Sequence, residues 1–340
     1  MKRFLLMLMV VVMILSGCNA AEPVDSTPTA APTATPEPTL PPESDNRIIA
    51  VMIDNDNNDA RPHAGIEDAF LIYEAYVEGS ATRMMALFKD AETEKIGPIR
   101  SSRHYFLDYA MEHDAIYVHY GWSPQAANDI KSYGINNING VLEGNDVFWR
   151  DSTYTKSWHT AYASIEKIMK FSDNTKKYRN TSKVSNFKKN AIDKEIEGQT
   201  ALKITLPYAG FYKASYEYDA ETNTYKRYIN GAGHITQEQV HLAPKNIIIQ
   251  KASNHTISGD TSGRQDVQTV GLGEGYFITG GKMAKITWSK PDRKSKTTYK
   301  FENGEEIYLN PGQTFIQIVP PSMDMVVEPA EVAAGETVQQ

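Results

Sequence analysis

The chain opens on a 12-residue apolar run, Phe4 to Leu15, preceded by Lys2 and Arg3. A short positive region leading into an apolar run of that length predicts a secretory signal and falls short of a bilayer span. From Asn19 to Asp45 the hydrophobic periodicity stops, and seven of the 17 prolines fall there among Thr, Ala and Ser. This composition predicts a disordered stalk in extended polyproline II, with a reach on the order of 80 Å. Apolar periodicity resumes at Arg47. Ile48 to Ile53 reads as a buried strand, and Ala69 to Val77 and Thr82 to Phe88 as a hairpin around Glu78-Gly79-Ser80. Tyr105, Phe106 and Tyr109 recur at helical spacing within Ser102 to His113. Ala115 to Tyr120 reads as a strand. Ser123 followed by Pro124 is a helix start, with Gly134 as its stop. Thr160 to Phe171 is a further helix, with Ile165, Ile168 and Met169 on one face.

The second half changes character. Asn246 to Gln250, Tyr276 to Thr279, Ala284 to Trp288, Thr297 to Phe301, Ile307 to Leu309 and Thr314 to Val319 are short strand-like runs separated by turn residues. Asp219 to Asn223 and Asn303-Gly304 read as hairpin turns. Gly271-Leu272-Gly273-Glu274-Gly275 is glycine-rich, but a strand-like run follows it and no helix does. It therefore reads as a tight turn or bulge and not as a dinucleotide fingerprint. The expected fold class is α+β: a mixed α/β N-terminal domain, then a smaller β-rich C-terminal domain. The expected boundaries are a signal peptide at 1–17, the acylated cysteine and stalk at 18–46, domains at 47–185 and 200–321, and a disordered tail at 322–340.

Cysteine usage sharpens this picture. Cys18 is the sole cysteine of 340 residues and ends Leu15-Ser16-Gly17-Cys18. That pattern resembles the lipobox of bacterial lipoproteins, which implies cleavage before Cys18 and acylation of its thiol and amine. Two or more acyl chains give stable anchoring where one gives reversible binding. A membrane partner through the lipid on Cys18, on the extracellular face, is expected. With its thiol acylated, the chain has no disulfide, no nucleophilic cysteine and no cysteine-ligated metal. The net charge of −7 gives no electrostatic footprint for nucleic acid.

Three constellations carry candidate chemistry. Asp54 to Asp59 imitates a calcium loop, but Asp59 stands at the glycine position and Gly65 at the bidentate glutamate position, so no metal site is expected. It reads instead as a polar loop at a strand's carboxyl end, where α/β sheets place binding sites. Arg83, Arg100 and Arg103 form a second group, the last two with Ser101 in the loop Gly97 to His104 that leads into a helix. This is an arrangement suited to a phosphate or carboxylate, with salt bridging to Glu74, Glu78 or Asp108 as the competing reading. His119 and Trp122 follow a strand on the same sheet edge, and Trp149, Arg150, Asp151, Trp158 and His159 could extend that rim. Buried aromatic packing competes here. Asp54, Glu74 and Glu78 are the candidate catalytic carboxylates; nothing in their spacing brings them together. No cofactor motif is present.

Val51-Met52-Ile53-Asp54-Asn55, Ala60-Arg61-Pro62, Tyr73-Glu74, Val77-Glu78-Gly79, Gly97 to Arg103 and His119-Tyr120-Gly121 occur in order. Gly281-Lys282, Trp288-Ser289-Lys290 and Leu309 to Thr314 follow in the second half. Together they resemble the YerB-like lipoproteins, family 3048 of the domains of unknown function. The resemblance implies a Gram-positive envelope lipoprotein of two domains and supplies no activity. The residues themselves suggest an extracytoplasmic cell-envelope protein that binds an anionic glycan or polymer, such as peptidoglycan or a phosphate-bearing chain. Its alternatives are a wall hydrolase or lyase working through a carboxylate, and a scaffold that docks a wall-synthesis protein.

Overall fold

Seven consecutive buried residues, Ile49–Asn55, form β1, a strand covered on both faces. A computed structural model describes residues 39–40, 42–184 and 187–328. The signal peptide, Cys18 and the stalk up to residue 38 lie outside the described residues, as does 329–340. β1 pairs antiparallel with β3 (Thr82–Phe88), which pairs antiparallel with β2 (Leu71–Tyr76). On its other side β1 runs parallel to β4 (Ile116–His119), and β4 runs parallel to β5 (Asn137–Asn139).

This sheet does not stop at β2. The wholly buried strand Thr314–Val319 runs parallel to β2, and Asn246–Lys251 runs parallel to Thr314–Val319. Gly271–Thr279, Lys282–Lys290 and Thr298–Phe301 then continue antiparallel. Gln199–Thr200 adds to Lys282–Lys290, completing an 11-stranded sheet. Both 47–185 and 200–321 supply strands to it.

Two faces follow from the period of two along each strand. Ala50 and Met52 join Tyr105, Phe106 and Tyr109 of helix α1 (His104–Glu112) in one core, which extends to Ile248, Trp288 and Ile316. Val51 and Ile53 face the other way, toward Ile99, Ile165 and Ile168. Further along that second side lies a five-stranded antiparallel sheet built on Lys203–Ala209, Tyr212–Asp219 and Thr224–Ile229. Its Leu206, Tyr216 and Tyr225 pack on Ile247, Ile249, Ile278 and Val319 of the large sheet.

Helix α2 (Pro124–Tyr133) follows its sequence signals. The Ser123 side chain accepts from the Ala126 N–H, and Gly134 closes the helix in the left-handed region at φ 63°. Elsewhere the elements differ from the expected ones. The helix expected over 160–171 spans only Ile165–Phe171, because the Ser164 hydroxyl caps it. Upstream, the Ala161 and Ala163 carbonyls accept from Ile99 and Ile96, and Ala161–Tyr162 pairs with Trp149–Arg150. Gly271 to Gly275 is the first half of a nine-residue strand and not a turn. The glycines are needed for close approach: a Cβ at Gly275 would run into the Ile249 carbonyl, and one at Gly273 into the Trp288 indole. Ile307 to Leu309 forms no strand; Leu309 makes only an isolated bridge to Lys189. Beyond residue 321, Val326–Glu328 is an edge strand on Lys203–Ala209.

Candidate functional site

β1, β4 and β5 end on one side, and the loop from Gly97 to Arg103 is laced across that end. The Asp54 N–H donates to the Pro98 carbonyl (2.9 Å), and the Arg100 N–H to the Met52 carbonyl (3.0 Å). Antiparallel register sets Asp54 opposite Arg83. The Ile99 N–H reaches the Ala161 carbonyl (2.7 Å), which draws the 155–163 segment against the same strand end.

His159 therefore meets Asp54 across 105 residues of sequence: its Nδ1 lies 2.6 Å from Asp54 Oδ2, and both side chains are buried. A carboxylate only accepts, so Nδ1 carries the hydrogen and Nε2 keeps its lone pair in the neutral ring. Nε2 has no partner among the described residues. Arg100 Nε lies 3.0 Å from the same Asp54 oxygen, but its N–H is not aimed for a hydrogen bond, so this is a charge contact. Burial works to raise the Asp54 carboxyl. The His159 hydrogen bond and the charges of Arg83 and Arg100 outweigh it and hold that carboxyl below its usual range. Asp54 is thus an anion that orients its neighbours and not a proton donor.

The three arginines, Arg83 on β3 and Arg100 and Arg103 in the loop, separate into two kinds. Arg83 Nη1 donates to the Ser101 carbonyl (2.8 Å), and its Nη2 approaches Glu78 (3.3 Å). Arg103 Nε donates to Glu78 (2.6 Å), and its Nη2 pairs with the same carboxylate. Burial and the nearby Arg83 push Arg103 down to about 10, against the pull of Glu78. Glu78 thus consumes both cations. Arg100 is different. Its terminal nitrogens have no partner among the described residues, and its guanidinium carbon lies 5.9 Å from the centre of the Trp158 ring. Trp158 is 57% exposed and leans on His159.

The remaining expected site residues are placed as follows. Ser101 Oγ donates to the Tyr120 carbonyl (3.0 Å). His119 is buried, with Nδ1 donating to the Gly121 carbonyl (2.7 Å) and Nε2 lying 3.2 Å from Asn137 Oδ1. Burial lowers it to about 4 against those two contacts. The neutral ring has one N–H, given by Nδ1 to the Gly121 carbonyl, so Nε2 faces the Asn137 oxygen with no hydrogen between them; the ring is buried and lines no open site. Trp122 is 37% exposed and meets His119 edge-on. Glu74 is far from free: Thr82 (2.8 Å), Asn55 (3.0 Å), Tyr212 (2.6 Å), Gln317 (3.0 Å) and Arg227 (2.8 Å) all donate to it in a sealed interior. Among the described residues no cluster of three or more His, Cys, Asp or Glu could hold a metal ion.

A second polar chain leads from that interior back to Asp54. Arginine only donates, so Arg227 Nη1 gives its hydrogen to His234 Nδ1. His234 Nε2 then donates to His63 Nδ1 (2.8 Å), and His63 Nε2 donates to the Asp54 carbonyl (2.7 Å). Burial drives His63 to about 3 and His234 well below its ordinary value, so both rings are neutral. His63, His234 and Arg227 carry no local motif; only the fold reveals them. His159 is marked in sequence only by its place beside an aromatic.

Comparison with known proteins agrees with this architecture. Residues 34–179 match the model described as "Protein of unknown function (DUF3048) N-terminal domain", and residues 204–316 match its C-terminal counterpart. The chain is 28% identical over 299 residues to a Bacillus subtilis (strain 168) protein named "Putative lipoprotein YerB", covering 87% of this chain and 86% of that one. The crystal structure of YerB from Bacillus subtilis superimposes with a TM-score of 0.73 at 28% identity, covering 83% of this chain and 94% of that one. With both halves of the family matched in order and the fold shared, the chain belongs to the DUF3048 family of YerB-like lipoproteins.

Proposed function

We propose that this lipoprotein is anchored through Cys18 on the outer face of the membrane and binds an anionic glycan or phosphate-bearing wall polymer there. One observation carries the reading: Arg100 lies in charge contact with the buried Asp54 and is flanked by Trp158, while its terminal nitrogens have no partner among the described residues. A guanidinium held in this way offers a planar fork to a phosphate or carboxylate, and an exposed indole beside it can stack on a sugar face. Arg83, Ser101 and Arg103 support the loop from behind, and Trp122 extends the rim. The test is co-sedimentation with purified Gram-positive walls. Arg100→Ala is expected to abolish pelleting and Arg100→Lys to weaken it; undiminished pelleting of Arg100→Ala overturns the assignment.

A hydrolytic reading rests on a separate observation, the Asp54–His159 pair, whose Nε2 has no partner among the described residues. His159 would take a proton from water as the water oxygen attacks the scissile atom of a wall bond, and would return that proton to the leaving group as the bond breaks, with Asp54 holding the ring and stabilising the imidazolium between the two steps. Neither Glu74 nor Glu78 is free for that work. Mass spectrometry of the wall supernatant decides it: fragments released by the native chain and absent with His159→Gln support hydrolysis, and no fragments from either exclude it.

A further inference from the structure

A cleft of about 990 Å³ lies away from Arg100, between the outer strands of the large sheet and the outer edge of the five-stranded sheet. Its floor is apolar: Tyr276, Phe301, Met325 and Val327 are half-buried and Met283 is buried. Its rim is acidic. Glu195, Glu197, Glu302 and Glu305 stand around it, with Lys285 the one cation lining it among the described residues. Glu305 accepts from Asn303 (3.0 Å); the other three glutamates have no partner among the described residues.

The cleft also borders an edge strand. Val326–Glu328 ends the five-stranded sheet and, among the described residues, pairs on one side only, with Lys203–Ala209; Val326 is 51% exposed. An open edge offers main-chain N–H and C=O groups to an added strand, and alternate side chains of that strand can then enter pockets.

We propose that this cleft docks an extended cationic segment of a partner protein, with lysine or arginine side chains between the glutamates and apolar side chains on the Tyr276, Phe301 and Met325 floor. Charge selects the occupant, because the rim repels an acidic segment and the wall polymers proposed for Arg100. This surface is distinct from the Arg100 site and stands or falls separately from it.

The test uses the full chain in neutral detergent micelles and a fluorescein-labelled octapeptide of alternating lysine and valine, read by anisotropy. Expected is saturable binding that weakens at least tenfold in the Glu195→Gln/Glu197→Gln/Glu302→Gln variant and on Met325→Asp. A control with three exposed acids neutralised outside the cleft, Glu92→Gln/Glu94→Gln/Glu221→Gln, is expected to bind like the native chain. Unchanged thermal melts keep the comparison fair. Equal weakening in both triple variants, equal binding of an octapeptide with glutamate replacing lysine, or self-association of the chain through this cleft would each overturn the proposal.

Discussion

Asp54 is enclosed by groups that depend on its charge: His159 on one oxygen, Arg100 beside it, and Arg83 across the strand. Removing one member of a buried charged cluster leaves the others uncompensated, a cost of roughly 3–5 kcal/mol. Asp54→Ala is expected to lose stability of that order in urea unfolding, and Asp54→Asn less, because an amide oxygen still accepts from His159. Any loss of binding or activity in Asp54→Ala therefore has to be read beside its unfolding curve. The buried histidines set the acid response. Burial lowers His63 to about 3, and His113 and His119 to about 4. Between those values and the ordinary 6.5 or so of an exposed histidine, the unfolded chain takes up protons that the folded chain refuses. Stability is thus full above that window and falls as pH drops through it, by on the order of 3 kcal/mol per histidine over the whole interval. Denaturant midpoints measured from pH 7 to pH 4 are expected to decline, and His119→Gln to flatten the slope.

Local chemistry at the element scale was largely legible. Ser123, Pro124 and Gly134 specify both ends of α2, and Ser123→Ala is expected to cost about 1 kcal/mol through the lost cap in thermal or chemical unfolding. The hairpin of β2 and β3 was legible from two apolar runs around Glu78-Gly79-Ser80. The glycine run at 271–275 was misread as a tight turn or bulge because glycine signals permissiveness without saying what uses it. Here the use is close approach of Ile249 and Trp288 to an extended strand. Gly275→Ala is expected to part those strands, at a cost of about 1–3 kcal/mol for overpacking or more. A smaller effect would mean that the Ile249 strand yields.

Thr314–Val319 sits between β2 and Asn246–Lys251, so the family's two matched stretches share one hydrogen-bonded layer. The fully buried Arg227–Glu74 pair (2.8 Å) joins the five-stranded sheet to β2, and the equally buried Lys290–Glu112 pair (2.6 Å) joins the outer strands to α1. A fragment covering 47–185 leaves β2 paired with β3 but without Thr314–Val319, and Glu74 and Glu112 without their cations. It is expected to lack the near-ultraviolet dichroism and dispersed amide spectrum of the intact chain. A fragment with native-like dispersion would show that the N-terminal stretch folds on its own.

Length and order of apolar runs, caps and turns depend on neighbours within a few residues, so the sequence alone determined most strands, α2, the stalk composition and the Cys18 signal. It also marked Asp54, Arg100 and Trp158 as chemistry-bearing. It could not say that Glu78 neutralises Arg83 and Arg103, that Glu74 is sealed by five donors, or that His159 holds Asp54. Those are contacts between segments tens to hundreds of residues apart. Strand order and the packing of the two sheets decided them, because burial and pairing of charge are properties of the assembled layers and not of any stretch of chain.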